Sequence, residues 1–286
     1  MIQLQNDTLS ISISEKGAEL QSIQANGIEY VWQADAAYWG KHSPVLFPIV
    51  GELKEGKYIF NSKEYKLSRH GFAREKVFDA EQTSSTAAVF SLKNDASTLA
   101  VYPFPFSFSV EYKIENSSLY CTYKVINTGN DTMYFSAGGH PAFNVPLNKD
   151  LQYTDYYLQF NADEVLDRYI LHDGLTGDET EAINLNNKTL QLQPSLFYAD
   201  AIVLKHIKSN TIKLFSDKDE HGLNFYFEDF PYFGIWASKD APFVCLEPWC
   251  GIADNMHHNN LLPSKEGINK LASGADWSKT WYVELF

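Results

Sequence analysis

Residues Thr8 to Gln33 read TLSISISEKGAELQSIQANGIEYVWQ. The first part, Thr8 to Ser14, alternates polar and apolar residues with period two, which places Leu9, Ile11 and Ile13 on one face of a half-buried strand. In the second part Asn26-Gly27 separates two β-like runs, and this pair is a strong hairpin signal because both residues tolerate positive φ. The chain therefore opens as an antiparallel meander. Working outward, strand-sized runs recur at Lys57 to Leu67, Ala87 to Leu92, Phe106 to Ile114, Ser118 to Ile126, Tyr156 to Phe160, Ile202 to His206 and Thr211 to Ser216. Four more follow at Leu223 to Phe227, Phe233 to Ala237, Phe243 to Glu247 and Lys279 to Leu285. Gly, Pro, Asn or Asp punctuates most joins. Helical candidates are brief, near Ala34 to Trp39 and Asp95 to Tyr102. So many short strands predict an all-β fold of two packed antiparallel sheets. Neither a Pro/Ser-rich linker nor a fixed-period repeat divides the chain, so residues 1–286 read as one domain.

Composition agrees with β structure. The 19 Phe, 17 Tyr and 6 Trp suit strands and flat-faced ligands better than helical bundles. The formal net charge of -13 argues against nucleic acid or an anionic membrane surface, both of which call for basic stripes. A small molecule fits better. The segment from Lys41 to Lys76, with Arg69 and Arg74 inside it, is nevertheless locally basic and could meet a phosphate group. Cys121, Cys245 and Cys250 form an odd set without CxxC spacing, as free thiols in a reducing compartment would. The N-terminus lacks the pattern of a secretory signal, and no apolar run approaches the length of a membrane span, so the expected location is the cytoplasm.

Three segments concentrate reactive side chains with glycine, proline and aromatics: SRHGFAR (Ser68 to Arg74), AGGHPAFNVPL (Ala137 to Leu147) and CLEPWCGIADN (Cys245 to Asn255). In a β protein such segments sit on loops or strand ends, where aromatic rings such as Phe72, Phe143 and Trp249 can face sugar C–H groups. His140 follows two glycines and precedes a proline, so its ring is presented at a defined angle, and imidazole can give and recover a proton near neutrality. Glu247 ends the apolar run Ala241 to Leu246; burial there would raise its pKa toward that of a general base, whereas strict alternation would turn it to solvent. His70 and Arg74 can bond hydroxyls or a phosphate, although an Arg in such a loop also commonly makes a structural carboxylate pair. The MHHNN stretch does not read as a metal site, because adjacent histidines diverge and no Cys or paired carboxylates complete a shell. Asp217, Asp219 and Glu220 read as a solvated turn.

Taken together, the segments resemble the aldose 1-epimerase (galactose mutarotase) family, in particular its LacX-like branch and hexose-6-phosphate mutarotase relatives. The resemblance rests on GAEL (Gly17 to Leu20), SPVLFPIVG (Ser43 to Gly51), HGFAR (His70 to Arg74), GGHPAFNVPL (Gly138 to Leu147), YADAIVL (Tyr198 to Leu204) and EPWCGIAD (Glu247 to Asp254), which span nearly the whole chain. It implies the galactose mutarotase-like supersandwich, with His140 protonating the pyranose ring oxygen and Glu247 taking the proton of the anomeric hydroxyl. It further implies that His70, Arg74 and Asp200 contact the sugar. Members acting on free galactose carry an arginine-rich early loop; here the stretch reads KHSPVLFPIVGELKEGK, and Lys41 and His42 with Arg74 could receive a 6-phosphate or ring a neutral hexose.

The expected activity is that of an isomerase interconverting the α and β anomers of a hexose or hexose phosphate by acid–base ring opening and closure. It requires no cofactor and no metal. Two other readings stand beside it: a non-catalytic carbohydrate-binding β sandwich, and a glycoside hydrolase using Glu247 with Asp200 as its two carboxyl groups. A homodimer stays open.

Overall fold

The computed structural model describes residues 1–286. Period-two patterning becomes alternating burial in the long central strands. In Phe106–Glu115 and Ser118–Asn127, one set of alternate side chains is buried and the other is more exposed. These two strands pair in register over their whole length, from Phe106 opposite Asn127 to Glu115 opposite Ser118. They belong to a nine-stranded antiparallel sheet that also contains Asp276–Leu285, Ala87–Lys93 and Thr211–Ser216. A second, eight-stranded sheet runs from Leu175–Asn184 and Val165–His172 through Ile202–Leu204 and Tyr232–Trp236 to Phe243–Cys250, Ala137–Gly139 and Val45–Leu46. Ala142–Asn144 joins it through Phe243–Cys250. The opening meander forms a separate four-stranded sheet, and its Asn26-Gly27 turn has both residues at positive φ, as a type I′ hairpin demands.

Apolar side chains of these sheets merge into one core of 70 buried residues. Aromatic rings dominate it: Phe47 stacks on Phe108 with centroids 4.3 Å apart, and Phe225 stacks on Trp281 at 5.2 Å. Buried phenols find partners, Tyr112 donating to the Ala18 carbonyl and Tyr102 to that of Tyr134, each at 2.8 Å. All three cysteines are free and buried. No helix is long and apolar enough to cross a membrane.

Three local expectations change. The run Lys57 to Leu67 is two strands, Lys57–Phe60 and Lys63–Lys66, because Asn61 and Ser62 take positive φ and turn the chain back. Ala34 to Trp39 is a turn rather than a helix, whereas Ala96–Val101 is helical and capped by Asp95, whose carboxylate accepts from the Thr98 N–H. The long hairpin Val165–His172 with Leu175–Asn184 was not among the expected strands. Its Asp173-Gly174 turn carried the signal, but the acidic DETE run on its outer strand does not look like a β segment.

Candidate active site

The eight-stranded sheet supplies the platform. Phe243–Cys250 lies between Tyr232–Trp236 and Ala137–Gly139 and is buried along its whole length, so Glu247 sits on a central strand with only 2% exposure. The solvent-facing reading of Glu247 therefore fails: both faces of this strand are covered, and alternation no longer sends every second side chain to water. Gly234, opposite Glu247 on the neighbouring strand, makes room for the Trp249 indole; a Cβ there would come within 2.5 Å of the ring. His140 directly follows Ala137–Gly139, and its Nε2 lies 3.3 Å from the Glu247 Oε2. Trp39 stacks on the His140 ring at 4.9 Å, and Trp236 meets it edge-on at 5.6 Å.

HGFAR reaches the same place by a tight turn. His70 and Gly71 are both at positive φ, and a Cβ on Gly71 would strike the Phe47 carbonyl oxygen at 2.4 Å. Two hydrogen bonds tie His70 to Gly51: its N–H donates to the Gly51 carbonyl at 2.9 Å, and its Nδ1 accepts from the Gly51 N–H at 3.1 Å. With Nδ1 an acceptor, the neutral ring carries its proton on Nε2 and can donate from there. Burial, with His140 beside it, holds the His70 pKa well below the usual histidine value, so the ring stays neutral.

These groups enclose a cavity of about 310 Å³, lined by Trp39, Arg69, His70, Arg74, His140, Asp200, Trp236, Glu247 and Trp249, with Gly51, Leu171, Thr176 and Ile252 among the remaining walls. Neither Arg69 nor Arg74 makes an ion pair with a carboxylate of the protein; Arg74 instead donates to the Arg69 carbonyl at 2.8 Å. Buried side-chain polar atoms without a partner concentrate here: of four in the chain, Arg74 Nε, His140 Nδ1 and Trp249 Nε1 belong to cavity residues. Such a wall suits a ligand that both donates and accepts hydrogen bonds.

Burial governs the electrostatics of the central pair. Desolvation pushes the His140 pKa down to about 3, with Arg69 and Arg74 adding to the fall, and pushes the Glu247 carboxyl well above its usual range against the opposing pull of Arg69. Both shifts favour the neutral imidazole and the protonated carboxyl, so a single proton shared by the pair would rest on Glu247 in the unliganded site, and the two groups titrate together rather than singly. Cys245 brings its sulfur into a grouping with His140 and Glu247 in which the ligand atoms lie within 4.8 Å of one another. Burial pushes the pKa of that thiol and of the carboxyl upward. In MHHNN, His257 is exposed while His258 turns inward to Asp254, Nδ1 lying 3.3 Å from Oδ2.

Of the residues singled out from sequence, the fold brings His140, Glu247, His70, Arg74, Asp200 and Trp249 to one cavity. Two placements are corrected. Phe143 is fully buried in the main core against Phe225, because its strand turns that ring away from the cavity into the space between the sheets. Lys41 lies outside the cavity, held by Glu75 at 3.0 Å, and the neighbouring His42 contributes its backbone N–H to Glu19. Sequence reasoning named Arg69 only within a basic segment that could meet a phosphate, and missed Trp39 and Trp236 as cavity residues, along with Leu171 and Thr176 and the hairpin that carries them. Arg69 stands next to His70 in SRHGFAR, and that adjacency was the signal that could have placed it at the site.

The architecture is that of the galactose mutarotase-like supersandwiches. It superposes on the galactose mutarotase related enzyme from Lactobacillus acidophilus with a TM-score of 0.95 at 33% identity, covering 100% of this chain and 97% of that one. It superposes on a galactose mutarotase-like protein from Lactobacillus casei ATCC 334 with a TM-score of 0.91 at 31% identity, covering 100% of both. Among curated proteins, the plasmid and chromosomal LacX proteins of Lactococcus lactis subsp. lactis are each 35% identical over 293 residues, covering 98% of this chain and 97% of theirs. The family model described as Aldose 1-epimerase matches residues 1–280. The chain belongs to the aldose 1-epimerase family and is, with that family, a sugar isomerase of the epimerase or mutarotase class.

Proposed function

We propose that this protein is an aldose 1-epimerase that interconverts the anomers of a hexose or hexose phosphate through His140 and Glu247. The observation that carries the reading is the buried contact between the two, Nε2 to Oε2 at 3.3 Å, on the floor of a cavity walled by three tryptophans. Opening a hemiacetal requires one proton to reach the ring oxygen while another leaves the anomeric hydroxyl. With the pair's single proton moved to His140, the imidazolium is the acid and the Glu247 carboxylate the base. Rotation about the C1–C2 bond of the open aldehyde, and closure with the roles reversed, gives the other anomer and returns the pair to its starting state. The protons balance over one turnover, and no bond to the protein forms.

His70, Arg74 and Asp200 serve as the sugar-binding groups, with the Trp249 face against the ring. Two guanidinium groups without a carboxylate partner, Arg69 and Arg74, favour a substrate with an anionic substituent, and a phosphorylated hexose supplies one. In this reading Arg69 takes the place that sequence alone offered to Lys41. The test is polarimetry or NMR exchange on freshly dissolved α-glucose, α-galactose and their 6-phosphates, with and without protein. Faster mutarotation, greatest for a phosphorylated sugar, is expected. No acceleration of any of the four overturns the assignment, and equal acceleration of free and phosphorylated sugars removes the role given to the arginines.

A further inference from the structure

Asp200 has the backbone least suited to its side chain of any residue at the cavity. Its φ is +121°, in a region that L side chains rarely adopt, and such strain persists only where the surroundings enforce it. Beside the bond its own N–H makes to the Phe197 carbonyl at 3.2 Å, a contact from outside the cavity holds this backbone. Arg168, on strand Val165–His172, is buried to 9% exposure and donates from its guanidinium to the Asp200 carbonyl at 2.7 Å. This is the one hydrogen bond its side chain makes. Its single carboxylate neighbour, Glu181, is 3.8 Å away and mostly exposed. Arg168 shares a strand face with Leu166 of the main core, whereas Tyr169, next along the strand, packs with Leu171 against the cavity-lining Val203 and Trp249. A buried cation has thus been committed to one backbone carbonyl. On the other side of that residue, the Asp200 carboxylate takes the Ala201 N–H through Oδ1 at 2.7 Å and borders the cavity.

We propose that Arg168 is a positioning residue, holding the strained backbone of Asp200 so that its carboxylate meets the hydroxyls of the bound sugar. The inference rests on the sugar-isomerase reading of the cavity. A charge-assisted bond of this kind is worth more than a neutral one, and its loss lets Asp200 relax to ordinary φ and swing its carboxylate away.

The test compares Arg168→Met, which keeps the stem and removes the donors, with Arg168→Lys, each alone and in an Asp200→Ala background, in the full chain. Arg168→Met is expected to raise KM roughly tenfold while kcat changes by less than about threefold. Arg168→Lys should recover part of that loss, and in the Asp200→Ala background Arg168→Met should add less than about a twofold change. A KM rise undiminished without the Asp200 carboxylate overturns the proposal, as does an unchanged KM in either variant. If Arg168→Met does not fold, the Lys variant decides alone: KM above wild type at unchanged kcat supports the role, and wild-type KM overturns it. A wild-type protein that accelerates no mutarotation would sink the functional reading and with it the sugar contact, but not the hold of Arg168 on the Asp200 backbone. The crystal structure of the Met or Lys variant then decides: Asp200 leaving positive φ supports the positioning role, and Asp200 remaining there overturns it.

Discussion

Glu247 and Asp254 lie on the same stretch of chain and are buried to the same degree, at 2% and 1% exposure, yet their surroundings differ in every other respect. Asp254 is fully supplied. Its Oδ1 accepts from the Lys265 ammonium at 2.7 Å, its Oδ2 accepts from the Lys54 N–H at 2.9 Å, and His258 stands 3.3 Å away. Its own backbone ties Glu52 and Thr176, so one residue staples the loops on two sides of the cavity. Glu247 makes no ion pair with a lysine or arginine and takes no backbone N–H; its ion-pair neighbour is His140 at 3.3 Å, with Arg69 acting only from farther across the cavity. Burial without a paired cation raises its pKa, as the proposed acid–base role requires, whereas burial with compensation makes Asp254 a structural clamp. A buried carboxylate says little by itself; the number of hydrogen bonds already committed to it separates chemistry from architecture.

The same substitution, carboxylate to amide, should therefore have opposite consequences at the two positions. Glu247→Gln should lower mutarotase activity by roughly 10²–10⁴-fold, with His140→Ala similar, as steady-state polarimetry would record. A fall of less than tenfold in both would remove the pair from the mechanism. Asp254→Asn should cost about 3–5 kcal/mol, since it leaves the Lys265 ammonium buried without a counter-charge, and urea unfolding would measure it. A stability unchanged by that variant would mean the clamp carries no weight.

Stability should move the other way for Glu247→Gln, by on the order of 1 kcal/mol upward at neutral pH. The folded-state pKa of Glu247 is raised above its ordinary 4.5, so the folded protein binds more protons than the unfolded chain above that pH, and this group's contribution to stability declines as pH rises. Removing the carboxyl removes the decline. The advantage of the Gln variant should accordingly grow with pH above about 4.5, and a constant or shrinking advantage would contradict the raised pKa.

The pH dependence of kcat/KM should also depart from that of an ordinary histidine. In the proposed mechanism, activity needs one proton on the pair. Taking up a second requires protonating His140, whose pKa is near 3, while losing the first requires ionising Glu247, so the profile should stay level through weak acid and fall on the alkaline side. An acid limb near 6.5 would show instead that His140 titrates freely. The smallest effect belongs to Lys41→Ala, which breaks a half-exposed pair with Glu75 and should change stability by about 0–1 kcal/mol and kcat/KM by less than about twofold. A larger loss of activity on a phosphorylated sugar would restore Lys41 to the substrate site.

Much of the fold was legible because its strands announce themselves. Phe106–Glu115, Ser118–Asn127, Tyr156–Phe160 and Thr211–Ser216 follow alternation that any half-buried strand must show, and Asn26-Gly27 makes the turn its backbone preference predicts. The hairpin after Glu164 was illegible because its outer strand is acidic and solvated, and its pairing comes from the neighbouring strand rather than from its own composition. With it went Arg168, Leu171 and Thr176.

The amino-acid sequence by itself determined the β architecture, the hairpin turns, and the three reactive segments whose residue types made an acid–base site on a sugar the natural reading. Tertiary structure alone decided which of those side chains meet. It sent Phe143 into the core and Trp249 to the cavity, gave Lys41 to Glu75 and left Arg69 and Arg74 without carboxylates, and set Asp254 against Lys265 while leaving Glu247 to His140. The reason is physical. Alternation tells which residues share a face of a strand, but what covers that face, and how many hydrogen bonds a buried group receives, is contributed by segments distant in the chain.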